Sequence, residues 1–168
     1  NARRIKLTCT QPMTASRRLP AEWEKQSAVM LTWPHADTDW SWILDEVETV
    51  YQRLVQEISR REKVLIVYRD AAHRQHIETL IGDSKVLRQC VFAQAPSNDS
   101  WARDHGPISV EDHGKTLLLD FQFNGWGGKY ASGLDNAITL ELKNKGVFNT
   151  PVSMHSLILE GGSIDSDG

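Results

Sequence analysis

The sequence predicts an α/β fold that includes a hairpin, on three observations. Short apolar runs of strand length end at breakers, stretches of helical period lie between them, and a His-Gly pair separates two later strand-like runs. At 168 residues, with 40% of them apolar, the chain fits one ordinary domain able to bury a core.

Taken in order, "AVMLTW" (28–33) reads as a buried strand stopped by Pro34. Ile43, Val47, Val50, Tyr51, Leu54 and Ile58 then recur at helical spacing within residues 39–62, with Asp39 placed to cap the start and basic residues in the last turn. "KVLIVY" (63–68) is a second buried strand, followed by a helix capped by Asp70 and stopped by Gly82. Residues 86–95 are strand-like. "PISVED" and "KTLLLDFQF" flank His113-Gly114 as a hairpin, "NGWGGKYASG" is a glycine-rich loop, "LDNAITLELKNKG" a helix and "SLILEGG" a last strand. No low-complexity linker divides the chain.

A net charge of −3, a pI near 6.1 and mixed signs along the chain give no basic field for a nucleic-acid backbone. No apolar run approaches a membrane span and the first residues have no signal-peptide core, so a cytoplasmic protein without a membrane partner is expected. Cys9 and Cys90 lack metal-ligand spacing and make no disulfide framework, so reduced thiols and no metal are expected. The chain begins at Asn1 rather than Met; residues 1–18 read as an N-terminal extension, with Met13 a candidate native start.

Chemistry-bearing residues concentrate in three segments. In "SNDSWARDHGPI" (97–108), Trp101, Arg103 and Asp104 stand beside a Gly-Pro breaker. A tryptophan face attracts cations and a carboxylate accepts a fork of N–H donors, a pairing that suits a planar delocalised cation better than a compact ammonium. The plainer alternative makes Arg103 and Asp104 a loop ion pair and Trp101 core filling. In "FNGWGGKY" (123–130) the glycines allow positive φ and close backbone approach, either around an anchoring Trp126 or toward a ligand; phosphate-loop spacing is absent. In "LILEGGSIDSDG" (157–168) Glu160 follows an apolar strand, Gly161 and Gly162 allow a sharp turn, and Asp165 and Asp167 alternate with Ser166. On a strand those two carboxylates would share a face and could enter one pocket; the alternative is a solvated acidic turn.

Together, "LPAEWEKQSAVMLTWPH", "NDSWARDHGPI", "FNGWGGKY" and "LEGGSIDSDG", in this order from about Leu19 to the last residue, closely resemble the agmatine deiminase family, which includes the Porphyromonas-type peptidyl-arginine deiminases. The resemblance implies the pentein fold, an α/β propeller of five strand–strand–helix–strand units around a central active site. Residues 19–168 would be the N-terminal portion of one such deiminase domain, about the first half of its units, and the missing C-terminal half would be their partner. It also implies hydrolysis of a guanidine to a ureido group with release of ammonia, without metal or organic cofactor, on a small guanidine such as agmatine or on free or peptidyl arginine. Residue by residue, Asp104 matches the carboxylate that grips the guanidinium, Trp101 lines the same pocket, and Arg103 resembles a structural companion. Asp167 matches a second guanidinium-binding carboxylate, and Glu160, Gly161 and Gly162 match the lead into a catalytic strand. Two carboxylates would then hold the five donors of a guanidinium and fix its central carbon for attack.

Two departures accompany the likeness. Asp165 stands where the resemblance implies a histidine acting as general acid and base. The family's nucleophilic cysteine lies further along a longer chain, at a position that neither Cys9 nor Cys90 occupies. This chain alone is therefore expected to be inactive and its parent a guanidine hydrolase, with a non-catalytic guanidine or polyamine binder and an amidinotransferase on the same fold as alternatives. His35, after the first strand, is expected at the surface, with a place lining the pocket as the alternative, and adjacency to Asp104 does not decide which way His105 faces.

Overall fold

The computed structural model describes residues 17–168, so Cys9, Met13 and nearly all of the expected N-terminal extension lie outside the described residues. The strands are β1 (Arg17–Arg18), β2 (Ala28–Thr32), β3 (Lys63–Tyr68), β4 (Cys90–Gln94), β5 (Ile108–Asp112), β6 (Lys115–Gln122) and β7 (Val152–Ile158). The helices are α1 (Leu44–Ile58), α2 (Ala71–Ile81), α3 (Ser84–Leu87), α4 (Ala102–His105), α5 (Gly125–Gly128) and α6 (Gly133–Asn144). Strands β2, β3 and β4 form a parallel sheet in that order. In the second sheet, ordered β1-β5-β6-β7, the β5–β6 hairpin is antiparallel, β7 joins β6 in parallel, and β1 lies antiparallel on β5.

Strand β3 sets the layers. Successive side chains of a strand point to opposite faces, so an unbroken apolar run has to be covered on both. Val64 and Ile66 join Trp33, Val55 of α1, and Ile77 and Ile81 of α2 in one core. Leu65 and Val67 join Ala93, Ala95, and Ile138 and Leu142 of α6 in another. Each fully buried aliphatic side chain contributes about 1.5–3 kcal/mol. Helix α6 also reaches the second sheet: Asn136 accepts the Phe123 N–H at 2.7 Å and donates to the Gln122 side chain at 3.2 Å. The two sheets are thus joined through one helix.

The Asp70 cap accepts the His73 N–H at 2.9 Å, Gly82 ends α2 at φ 63°, and His113 and Gly114 turn the hairpin with φ of 49° and 74°. Other expectations are corrected. Helix α1 begins at Leu44 after a 3-10 turn over Ser41–Ile43, with no side-chain cap from Asp39 or any other residue and no basic residue in its last turn. Val50 is 55% exposed and Leu54 is also exposed. The face carries Glu48 and Val55 inward instead, and Glu48 tolerates burial because Trp33 Nε1 donates to it at 2.8 Å and His76 Nε2 meets both its oxygens at 2.9 Å. Val86 and Leu87 belong to α3, capped by Asp83 through the Lys85 N–H, so the strand starts at Cys90. Strand β7 starts before the expected segment and ends at Ile158, with a register shift against β6 between Asp120 and Gln122.

The run β5–β6–α6–β7 is one strand–strand–helix–strand unit. The first sheet is not: helices join its strands, all parallel. The described residues form an open α/β arrangement of two sheets with no closed propeller, and β7 ends one sheet as a bare edge on which Leu157 and Ile158 are exposed. No helix among the described residues is long and apolar enough to cross a membrane.

Because Ile66 is fully buried, Ile66→Ala is expected to cost about 2–5 kcal/mol in urea unfolding. Val50→Ala, on the helix face that stays wet, should move stability by less than about 0.5 kcal/mol.

Candidate functional site

Open α/β sheets place ligands beyond the carboxyl ends of their parallel strands. At that end, residues 33–35 after β2, Arg69 after β3 and residues 97–105 after β4 come together. The shallow polar hollow bounded by Lys25, Ser27, Lys63 and Gln89 lies at the opposite end, ahead of the strands.

The segment after β4 is tied down bond by bond. Asp135, buried in the first turn of α6, accepts the Asn98 N–H at 2.7 Å and the Asp99 N–H at 3.2 Å, while Asn98 Oδ1 accepts the Leu134 N–H at 2.8 Å. Asp99 in turn accepts the Ser100 N–H at 2.8 Å and the Trp101 indole N–H at 3.0 Å. Ser100 Oγ accepts the Trp40 indole N–H at 2.8 Å. Burial pushes the Asp135 carboxyl up to about 6, against the pull of its two backbone donors.

Trp101, 40% exposed, is the middle of an aromatic row. Trp40 lies 5.6 Å away and Trp126 6.0 Å away, and Trp126 meets Phe123 at 5.1 Å and Tyr130 at 5.6 Å, both edge-on. Trp126 gets there through left-handed backbone, φ 56° and ψ 56°, with Gly125, Gly127 and Gly128 also at positive φ. That conformation costs a residue with a Cβ roughly 1–2 kcal/mol. Asn124, whose side chain accepts the Gly127 N–H at 2.8 Å, and the ring contacts offset it.

Asp104 is half-buried, and its Oδ1 accepts the Gly162 N–H at 3.1 Å. It lies three residues from Trp101, which stands just ahead of the single-turn α4 with non-helical backbone, φ −79° and ψ 60°. Arg103 turns elsewhere, donating to Glu22 at 2.8 Å and to the Ile164 carbonyl at 2.9 Å. Helix α4 rests on the 3-10 turn Gly161–Ser163: a Cβ on Gly161 would collide with the Arg103 carbonyl oxygen, and one on Gly162 with Asp104 Oδ1. Glu160 precedes that turn, and its carbonyl accepts both the N–H and the hydroxyl of Ser163, at 3.0 and 2.7 Å.

Asp165 and Asp167 are not on a strand, contrary to expectation. Residues 164–168 are irregular because Ser166 docks on the 19–22 loop, its carbonyl accepting the Glu22 N–H at 3.2 Å and its hydroxyl donating to the Leu19 carbonyl at 3.0 Å. Ile164 and Ser166 are half-buried while Asp165 and Asp167 are exposed, and neither carboxylate has an ion-pair partner among the described residues. The structure thus gathers Trp101, Arg103, Asp104, Trp126, Gly161 and Gly162, and leaves Asp165 and Asp167 at the surface.

His35 is buried, not superficial. Its Nδ1 accepts the Asp37 N–H at 3.2 Å, so Nε2 carries the proton that faces Ser97 Oγ at 3.3 Å, the wrong polarity for activating that serine. His105 faces inward to Thr32 Oγ1 at 3.2 Å, and burial holds its pKa down at about 4. Among the described residues no three His, Cys, Asp or Glu are placed to hold a metal. Sequence reading missed Trp40, Asp99, Ser100 and Asp135. An aspartate opening an apolar helix reads as a dipole partner, and nothing in its spacing announces a bond to residues 98 and 99.

A family model described as Porphyromonas-type peptidyl-arginine deiminase matches residues 18–168. The chain is 31% identical over 164 residues to the agmatine deiminase of Medicago truncatula, covering 89% of this chain and 42% of that one. An agmatine deiminase of C. jejuni, solved as a cysteine-to-serine variant with substrate bound, superposes with a TM-score of 0.81 at 34% identity, over 90% of this chain and 43% of that one. The agmatine deiminase of Enterococcus faecalis superposes with a TM-score of 0.78 at 24% identity, over 91% and 42%, a likeness of fold. The chain spans less than half the length of each of these relatives.

Gly161→Ala, forced against backbone, is expected to lose about 1–3 kcal/mol in thermal unfolding, whereas Gly162→Ala should fold near normally with Asp104 displaced. His105 takes a proton more readily when unfolded, so its contribution to stability is complete above about pH 6.5 and is lost as pH falls toward about 4, by at most ~1.4 kcal/mol per pH unit. Asp120, pushed up to about 6 by burial, runs the other way, its contribution lost as pH rises through about 6. Melting temperatures from pH 4 to 8 should show His105→Gln less acid-sensitive than wild type, and Asp120→Asn gaining on wild type toward alkaline pH.

Proposed function

As this chain belongs to the Porphyromonas-type peptidyl-arginine deiminase family, we propose that it supplies the guanidinium-gripping side of a hydrolase. The enzyme converts agmatine or an arginine-type substrate into its ureido product and ammonia, in the cytoplasm and without a nucleic-acid or membrane partner.

One observation carries the reading: Asp104, pinned through one oxygen by the Gly162 N–H, stands three residues after the exposed ring of Trp101 at the carboxyl end of the parallel sheet. The other carboxylate oxygen accepts guanidinium N–H donors while the planar cation lies on the indole, which strengthens both attractions once water is excluded. In this reading Arg103 keeps α4 seated, Trp126 backs Trp101, and Glu160, Gly161 and Gly162 shape the wall beside Asp104. Asp167 takes a second edge of the guanidinium and Asp165 handles protons, both from the exposed segment that the rest of a longer domain would cover.

Cys90 is a poor nucleophile. Its thiol donates to the Val86 carbonyl at 3.4 Å and burial pushes it up to about 11, which leaves little thiolate at neutral pH. The attacking cysteine therefore belongs to the portion of the domain that the relatives have beyond this one, a reading supported by the serine variant of the substrate-bound relative. Its sulfur adds to the central carbon, the C–N bond to the departing nitrogen breaks as that nitrogen is protonated and leaves as ammonia, and water then displaces sulfur to give the ureido group. Asp165, in the position where the family likeness implies histidine, favours one other reading, a guanidine binder without turnover.

Supplied with agmatine, the protein as the cell produces it is expected to release ammonia and a ureido product in equal amounts. Asp104→Asn should lower kcat/KM by about 100-fold or more, since a charge-assisted contact to the substrate is lost, with little change in melting temperature. Calorimetric binding without ammonia release would favour the binder, and unaltered turnover in Asp104→Asn would end the assignment.

A further inference from the structure

We infer that Asp135 is a positioning residue for Trp101, acting through Asn98 and Asp99 without touching substrate; the inference rests on the guanidinium-binding role proposed for Trp101. Asp135 is 2% exposed and has no ion-pair partner among the described residues. A buried acid without a cation is costly, and a helix-opening aspartate would ordinarily turn to the N–H groups of its own helix. This one gives a single oxygen to two amides that lie 37 and 36 residues away in the chain.

The geometry is a two-point clamp. Asn98 returns a bond from the Leu134 N–H, so residues 98–99 and 134–135 are held in one register and neither segment can slide against the other. Beyond the clamp both oxygens of Asp99 are used, one on the Ser100 N–H and one on the Trp101 indole N–H. The residue whose carboxylate orients the indole therefore has its own backbone held by Asp135, while the Ser100 N–H fixes the carboxylate itself. Trp40 and Trp126 limit the ring on either side, but ring contacts at 5.6 and 6.0 Å leave its rotation soft, and the Asp99 bond removes that freedom. Burial that raises the Asp135 carboxyl toward neutral makes the site expensive, which is consistent with a role beyond packing.

The test uses the protein as the cell produces it, labelled with 15N-indole tryptophan. Each tryptophan gives one indole N–H resonance, and Trp101→Phe and Trp33→Phe identify those of Trp101 and Trp33. In Asp135→Ala the Trp101 resonance is expected to move while that of Trp33, held by Glu48, stays in place. KM for agmatine should rise about tenfold with kcat changed less than about threefold, because the reacting carbon is held less well but the chemistry is intact. Asp135→Asn keeps the accepting oxygen and should rescue both readouts. An unmoved Trp101 resonance in folded Asp135→Ala, or a fall in kcat at constant KM, overturns the inference. Should Asp135→Ala not fold, Asn98→Ala is read in its place, a moved Trp101 resonance supporting the clamp and an unmoved one overturning it. If the wild type neither binds nor turns over agmatine, the proposed function fails, while the resonances still decide whether Asp135 positions Trp101.

Discussion

The double-sided burial of β3 is the constraint from which the rest of the molecule follows. Val64 and Ile66 need one cover and Leu65 and Val67 another, because alternate side chains of an apolar run cannot all face the same way. Helices α1 and α2 provide the first cover from the connections between the parallel strands. The second is borrowed from the next unit: Ile138 and Leu142 of α6 close the other face. A helix that belongs to the second sheet by connectivity therefore belongs to the first by packing.

The site is a consequence of that borrowing. Bringing α6 against β3 and β4 carries its first turn to the carboxyl end of the parallel sheet, where Asp135 meets the N–H groups of Asn98 and Asp99. The segment that carries Trp101 and leads into α4 and Asp104 is then anchored to a rigid element. From the other side, the turn comes so close to α4 that a Cβ at Gly161 would strike backbone and one at Gly162 would push Asp104 aside, and the approach gives the Asp104 carboxylate a backbone donor. Close packing and charge orientation are achieved by one contact. The left-handed Trp126 shows the same economy, since a strained residue is tolerated where it completes the aromatic row.

Much of this was legible in the chain because the signals are local. Asp70 and Gly82 bracket α2 as a cap and a stop should, His113-Gly114 turns the hairpin, and the apolar run of β3 announces burial on both faces. Where local signals competed with partners distant in sequence, local reading failed. Helical spacing points to Val50 and Leu54 on the inner face, yet donors from Trp33 and His76 bring the charged Glu48 inside instead. Asp39 has cap chemistry but α1 starts beyond its reach. Asp165 and Asp167 alternate as on a strand, but Ser166 is taken by the 19–22 loop and no strand among the described residues pairs with the segment.

By itself the sequence determined the α/β class and most of the elements and drew attention to the stretch bearing Trp101 and Asp104, since those depend on period, breakers and side-chain chemistry over a few positions. Tertiary structure alone decided which groups stand together: that α6 lies between the sheets, that Arg103 turns to Glu22 while Asp104 takes the Gly162 amide, that His105 faces the core, and that Asp135 reaches across to the segment bearing Trp101. The reason is physical. A buried polar group is stable only with a partner, and which partner it finds is set by how the layers pack, which no short stretch of chain encodes.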